Sequence, residues 1–387
     1  MRIGIDARFL THPQRGGFKT YTQNLIMSLS EVDSVNDYFV YLDRLLPDDK
    51  LPQKRNWHYK VVRGDFPVLG MPLREQLFLK RQIIKDRLDV VHFLCNTAPV
   101  NLTERYVVTL HDTIQVTTKN RFELWRGLLS RKRWAAAYSK WVINKSIKSA
   151  SRIITVSDFE RKQIGHQFNV SYGHIAAIHL APNPIFKPAS SAEKSAWRSK
   201  LSQMHGIHKK FIFGVGYEAR KNIDFLIEIY SRLTSEYEEL DLVIVCAEEK
   251  RRSYFKKLSE ELGLAGKIFI LGSLPAEELA VLYNLAEAFI YPSERESFGL
   301  PPLEAISCGA PTIAMNVTSM PEILEDGALL IDGKDPQVWS DAFRHVVDNE
   351  EFRLQLIYRG LERASKFNWQ RCARETIQVY SDIVETS

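Results

Sequence analysis

Short apolar runs alternate with longer amphipathic stretches along the whole chain, and the alternation comes in two series. The first series of strand candidates is RIGIDA (2–7), YFVYL (38–42), YKVVRG (59–64), DVVHFL (89–94), YVVTLHD (106–112) and RIITVS (152–157). Runs that are apolar on both faces suit a parallel sheet covered by helices on both sides. Between them lie segments such as Thr20–Leu29 and Leu73–Asp86, whose apolar residues recur at helical spacing. The pattern then restarts with FIFGVG (211–216), DLVIVCA (241–247), KIFILG (267–272), AFIYPS (288–293), PTIAMN (311–316) and ALLID (328–332). HLAPNPIFKPASSAEK (179–194), rich in Pro, Ser and Ala, separates the two series and reads as a linker. The expected architecture is α/β, with two facing, doubly wound, Rossmann-like parallel-sheet domains over residues 1–188 and 189–367. The remaining segment, 368–387, reads as a terminal helix crossing back to the first domain.

A chain of 387 residues exceeds one ordinary core and agrees with two domains. Cys95, Cys246, Cys308 and Cys372 lie far apart without a CxxC pair, which speaks against a zinc site or a disulfide framework and for a reducing compartment. MRIGIDARFL has no long apolar stretch followed by a cleavage site, and no segment approaches the roughly 20 apolar residues that span a bilayer. The expected location is cytoplasmic, either soluble or peripheral at the inner face of the membrane. The net charge of +5 is small but uneven: residues 119–152 carry ten Lys or Arg against Glu123 alone, interleaved with Trp125, Trp134, Tyr138 and Trp141. Such a stretch could dock an anionic membrane or a polyanionic acceptor. The plainer alternative is a solvated helix whose aromatic stripe packs into its own domain. No nucleic-acid module is present, so no nucleic-acid partner is expected.

Parallel sheets bind ligands beyond the carboxyl ends of their strands, so the chemistry belongs in the loops there. ERESFGLPPLEAISCGAP (294–311) occupies the step from the AFIYPS strand into a short helix. Pro301 and Pro302 suit first helical positions, and Gly309 with Pro311 suits a helix stop. Backbone amides around Ser297, Phe298, Gly299 and Leu300 then form a helix N-terminus fit for a diphosphate. Carboxylates beside a diphosphate are tolerable when they accept hydrogen bonds from uncharged hydroxyls. Glu304 is therefore assigned to a ribose diol and Glu296 to a sugar being transferred. Acids near a helix start also favour its dipole, which would explain Glu304 alone. Arg220 and Lys221, in YEARKN after the FIFGVG strand, would bind the diphosphate and stabilise it as it leaves. Gly16-Gly17 follows the first strand and lets backbone approach a phosphate or sugar, although most such pairs are only turns. His111, with Asp112, ends a strand where a ligand is expected, while a packed histidine is an equal alternative. Ser157 is either a ligand contact or the N-cap of SDFE.

The EX7E string with FGLPPLEA inside it resembles the signature of the retaining glycosyltransferases of family 4, which have the GT-B fold. The similarity runs through GSLPAEELAVLYNLAEAFIYPSERESFGLPPLEAISCGAPTIAMNVTSMPEILEDGALLID (272–332) and covers nearly the whole chain. It implies a diphosphate-binding Arg/Lys pair, here one residue closer to Gly216 than in many relatives. It also implies a Gly-Gly loop closing over the donor and a histidine near the transferred sugar. The implied activity is retaining transfer of a hexose from a nucleoside-diphosphate sugar, UDP-glucose or similar first and GDP-mannose second. The implied acceptor is a hydroxyl of a glycan or lipid-linked oligosaccharide in polysaccharide biosynthesis. No DxD-type motif stands out, so neither metal nor other cofactor is expected, and the leaving phosphate would help deprotonate the acceptor. A sugar-nucleotide epimerase, a glycan phosphorylase and a non-catalytic nucleotide-binding subunit stay open as other readings. A dinucleotide-dependent oxidoreductase is disfavoured by the missing GxGxxG.

Overall fold

The computed structural model describes residues 1–11, 17–46, 51–64, 70–113 and 131–385, the side chains of 131–136 excepted. The chain forms two compact units: Met1–Leu180 together with Trp369–Ser387, and Ala181–Asn368. Residues 181–188 cluster with the second unit because Asn284 grips them there. Its side chain donates to the Lys187 carbonyl (3.0 Å) and accepts from the Ala189 amide (2.8 Å).

The first unit is a seven-stranded sheet of β1 (Arg2–Asp6), β2 (Asp37–Leu42), β3 (Trp57–Val61), β4 (Val90–Phe93), β5 (Tyr106–Leu110), β6 (Arg152–Thr155) and β7 (Ile175–Ala177). Its order is β3-β2-β1-β4-β5-β6-β7, with every pair parallel. The second unit is a six-stranded sheet of β8 (Lys210–Val215), β9 (Leu240–Val245), β10 (Ile268–Leu271), β11 (Ala288–Tyr291), β12 (Thr312–Met315) and β13 (Leu329–Ile331). Its order is β10-β9-β8-β11-β12-β13, again parallel throughout. In both sheets the strand order reverses once, between β1 and β4 and between β8 and β11. There the crossing helices part to opposite faces and leave a crevice at the strand ends.

Two-sided burial is what makes these strands apolar throughout. In the second unit Ile212, Leu242, Ile244 and Ile290 pack against Leu226, Ile227 and Tyr230 of helix Ile223–Leu233. Trp339 and Phe343 of helix Pro336–Asp348 close the same core. In the first unit Tyr41, Val91, Phe93 and Val108 meet Leu79, Ile83, Ile143 and Ile147. The stretch read as one helix over 73–86 is interrupted by a π-helical turn, Arg74–Leu79, between Gly70–Leu73 and Lys80–Asp86. The wider turn carries Arg74 and Glu75, both fully buried. The supposed linker ends sooner than 194, because Ser190 and Glu193 make a capping box that starts a helix at Ser191.

The terminal helix, Trp369–Glu385, lies in the first unit with the helix Gly17–Val32. Tyr380 from it holds His92 of β4, OH to Nδ1 at 2.6 Å, while His92 Nε2 meets Thr109 Oγ1 at 2.7 Å. Burial, with His111 nearby, pushes His92 down to about 3. Between its ordinary value of 6.5 and about 3 the unfolded chain takes up a proton that the folded chain refuses. Stability contributed by the neutral ring is therefore lost as pH falls through that window. From pH 6.5 to 4.5 the wild type should lose roughly 2–3 kcal/mol more unfolding free energy than His92→Gln, read by denaturant titration at both pH values. Equal losses would show that His92 is not the group titrating.

Candidate active site

Two loops meet at the β8/β11 reversal of the second unit. After β8 the chain passes Gly216 and makes a short 3-10 turn over Ala219–Lys221. Gly216 has φ +150°, and a Cβ there would lie 2.7 Å from Lys221 Cβ and 2.8 Å from its Cγ. Only glycine lets the Lys221 side chain fold back over the strand end. The loop after β11 is pinned to it by the Glu294 amide donating to the Arg220 carbonyl (2.9 Å) and Asn222 donating to the Pro292 carbonyl (2.9 Å).

Between these loops stands Glu296, 7% exposed. Its Oε1 accepts from Lys221 Nζ (2.5 Å), Ser293 Oγ (2.6 Å), Arg220 Nη1 (2.9 Å) and Tyr291 OH (2.9 Å). Its backbone is held as well: the amide donates to Thr318 Oγ1 (3.0 Å) and the carbonyl accepts from Ser319 (3.0 Å). Lys221 also donates to the Tyr291 hydroxyl. Arg220 donates further to the Arg295 carbonyl (2.6 Å) and to Glu218 (2.8 Å). Burial opposes ionisation of Glu296, yet Lys221 and Arg220 hold its carboxyl below the ordinary carboxylate range. Burial lowers the Lys221 ammonium despite Glu296, whereas Glu296 and Glu218 overcome the burial of Arg220 and raise it.

The helix that follows, Leu300–Ser307, begins on Gly299 with Pro301 and Pro302 in its first turn. Those prolines have no N–H, so Gly299 and Leu300 supply the amides at this helix start. Gly309 beyond its end has φ +76°, the left-handed stop expected of it. Phe298 points inward, buried against Phe367 (ring centroids 5.9 Å), so only its backbone belongs to the site. Ser297 is half-buried beside it. Glu304 is half-buried, with the Tyr283 hydroxyl donating to it at 3.3 Å. Lost hydration, against that single hydrogen bond, pushes its carboxyl up to about 8.

The remaining candidates belong to the first unit. Gly16 lies outside the described residues; Gly17 opens the helix Gly17–Val32, and among the described residues nothing lies within 4 Å of where its Cβ would be. His111 follows β5, its amide bonded to Asn96 Oδ1 (3.0 Å) and its Nε2 to the Leu94 carbonyl (2.9 Å). Phe18 and Tyr21 pack edge-on against its ring. Burial pushes it down to about 4, so the ring is neutral near pH 7. Donation from Nε2 to the carbonyl leaves Nδ1 as an acceptor. Ser157 accepts from the Glu160 amide (3.2 Å) and is the N-cap of helix Asp158–Phe168. Much of the basic stretch 119–152 lies outside the described residues. Within helix Arg131–Ser149, Tyr138 donates inward to Glu75 (3.0 Å), whereas Trp141 is 50% exposed.

Tyr291, Ser293, Thr318, Ser319 and Tyr283 were not singled out from sequence. Tyr291 and Ser293 sit inside the strand-end motif itself, and a polar residue closing an apolar strand was the available signal. A buried charge quartet at the end of β1 was also missed. Asp6 pairs with Arg74 (2.9 Å) and Arg8 (2.8 Å), and Arg8 with Glu75 (2.7 Å). Among the described residues, no three His, Cys, Asp or Glu are grouped as metal ligands would be.

Gly299 has φ +97°, and a Cβ there would stand 2.2 Å from Met320 Cε. Gly299→Ala is expected to cost about 2 kcal/mol by urea unfolding, the strained backbone adding to the displaced Met320. An unchanged midpoint would mean that the turn relaxes freely.

Residues 15–185 match the model for Glycosyltransferase Family 4, and 200–363 that for Glycosyl transferases group 1. The chain is 32% identical over 343 residues to the O-antigen chain mannosyltransferase B of Escherichia coli, covering 86% of this chain and 87% of that protein. It shares its fold with sucrose-phosphate synthase of Thermosynechococcus elongatus, at TM-score 0.74 and 18% identity over the full length of both chains. It is also similar to Anabaena Alr3699/HepE, solved with UDP-glucose, at TM-score 0.71 and 16% identity over 99% of this chain and 100% of that one. Two parallel-sheet units, a strand-end site carrying the EX7E pair and these matches lead to one conclusion: the chain belongs to glycosyltransferase family 4, the glycosyl transferases group 1, and is a glycosyltransferase of the GT-B fold.

Proposed function

We propose that the protein is a retaining, metal-independent hexosyltransferase that elongates a glycan or a lipid-linked oligosaccharide in polysaccharide assembly. The observation that carries the reading is the convergence of Arg220, Lys221 and Glu296 on the crevice beyond β8 and β11. Arg220, Lys221 and the amides of Gly299 and Leu300 receive the donor's diphosphate and stabilise the charge that grows on it as the glycosidic bond breaks. Glu304 accepts the ribose diol, and Glu296 faces hydroxyls of the transferred hexose. In the first unit, His111 Nδ1 is available as an acceptor for a sugar hydroxyl. With two fixed cations present, the leaving phosphate can take the acceptor's proton without a metal to neutralise it.

A mannosyl donor, GDP-mannose, moves ahead of UDP-glucose. The relative at 32% identity is named a mannosyltransferase, whereas the UDP-glucose complex at 16% identity shares the fold. Calorimetric titration with GDP and UDP, with and without EDTA, tests this reading: one nucleotide should bind tightly and EDTA should leave its affinity unchanged. Transfer assays with GDP-mannose and UDP-glucose then establish the sugar and the stereochemistry of the product.

Glu304 makes binding depend on pH. A ribose diol donates to the carboxylate, so binding lowers the raised Glu304 value and releases a proton below about pH 8. Affinity for GDP or UDP is expected to rise with pH up to about 8 and then level off. The apparent binding enthalpy at pH 7 should vary with the ionisation enthalpy of the buffer. Glu304→Gln should reduce that variation and weaken binding about tenfold, two neutral hydrogen bonds replacing charge-assisted ones.

Arg220→Ala and Lys221→Ala are expected to lower kcat about 100-fold or more each, with smaller changes in KM, since their contacts strengthen as the diphosphate departs. A rise in KM at constant kcat would reassign them to ground-state binding.

A further inference from the structure

Glu296 Oε1 already holds both cations that the donor needs. Four donors crowd onto Oε1 alone, two of them the cations meant for the diphosphate. The Lys221 ammonium has three N–H bonds, one spent on Glu296 and another on Tyr291. Both N–H bonds of Arg220 Nη1 are spent, on Glu296 and on the Arg295 carbonyl, and Nη2 is engaged by Glu218. Lys221 is only 11% exposed and keeps one N–H, so an incoming phosphate competes with Glu296 for both cations. A diphosphate beside an ionised Glu296 would also feel direct like-charge repulsion.

We propose, resting on the donor-binding reading above, that Glu296 is an internal counter-anion. In the empty site it holds Arg220 and Lys221 at the strand ends. On donor binding it yields them to the diphosphate, which frees its carboxylate to turn to the transferred sugar. Holding the cations in advance keeps the site folded without ligand, and the exchange holds down affinity for the nucleoside diphosphate, which is also the product that must leave. A carboxylate that merely orients the cations throughout would have the opposite effect, since its removal would loosen them and weaken binding.

The sign of one substitution separates the two. Glu296→Gln keeps the size and some hydrogen bonds but removes the charge. UDP, GDP, inorganic pyrophosphate and the nucleosides uridine and guanosine are titrated into both proteins by calorimetry. The expected result is a Kd for the bound diphosphate at least threefold lower in Glu296→Gln, with nucleoside affinity unchanged and kcat reduced at least 100-fold. Thermal unfolding without ligand should begin at a lower temperature than in the wild type, and saturating diphosphate should restore more of it. Equal or weaker diphosphate binding in Glu296→Gln, with the wild type binding normally, overturns the counter-anion role alone. Absence of UDP and GDP binding in both proteins overturns the donor-site reading and this role with it. If Glu296→Gln does not fold, Glu296→Ala with saturating pyrophosphate during refolding reads the same sign.

Discussion

Two cations side by side at the end of a strand repel each other and cannot stay there without an anion. Arg220 and Lys221 are placed that way by the turn after β8, and Glu296 from the loop after β11 is the anion that keeps them. Much of the second unit's active end follows from this constraint. Tyr291 and Ser293 complete the shell on the carboxylate, and the loop after β12 fixes its backbone through Thr318 and Ser319. Desolvating three charges together is costly, and such an arrangement persists where every hydrogen-bonding group finds a partner. Chemistry that breaks a bond to a diphosphate gains from cations that need not reorganise.

Topology decides why the anion and the cations meet here. Loops after β8 and β11 are 70 or more residues apart in sequence, yet the two strands are hydrogen-bonded neighbours at the sheet's reversal. Glycine completes the geometry at two points. Gly216 removes the methyl that would strike Lys221, and Gly299 turns the chain so that a helix begins beside the site. The two prolines of that helix rigidify its start while reducing the amides it can offer, which places more of the anion-binding task on the Arg/Lys pair.

The first unit solves a related problem differently. Its charges at the end of β1 neutralise one another: Asp6 and Glu75 against Arg8 and Arg74, with Thr97 and Tyr138 closing the shell. The π-helical turn brings adjacent residues Arg74 and Glu75 both inward, to opposite-sign partners. His92, neutral between Tyr380 and Thr109, ties the terminal helix to the middle of the sheet.

The sequence by itself determined the two parallel-sheet domains, because strands buried on both faces must be apolar on both faces and the helices between them must not be. It also marked the strand-end motif, since a carboxylate pair around Phe-Gly and a double proline has little use elsewhere. What it left out were relations between residues distant in the chain. The pairing of Glu296 with Lys221 and Arg220, the shell from Tyr291, and the lone placement of Glu304 against Tyr283 depend on which strands become neighbours. Phe298 illustrates the limit: the motif marked its backbone amide, whereas only the tertiary fold shows its ring packed into the core against Phe367. Local pattern records whether a residue faces water or core, whereas the protonation state and partner of a buried charge are set by groups that only the folded chain brings within reach.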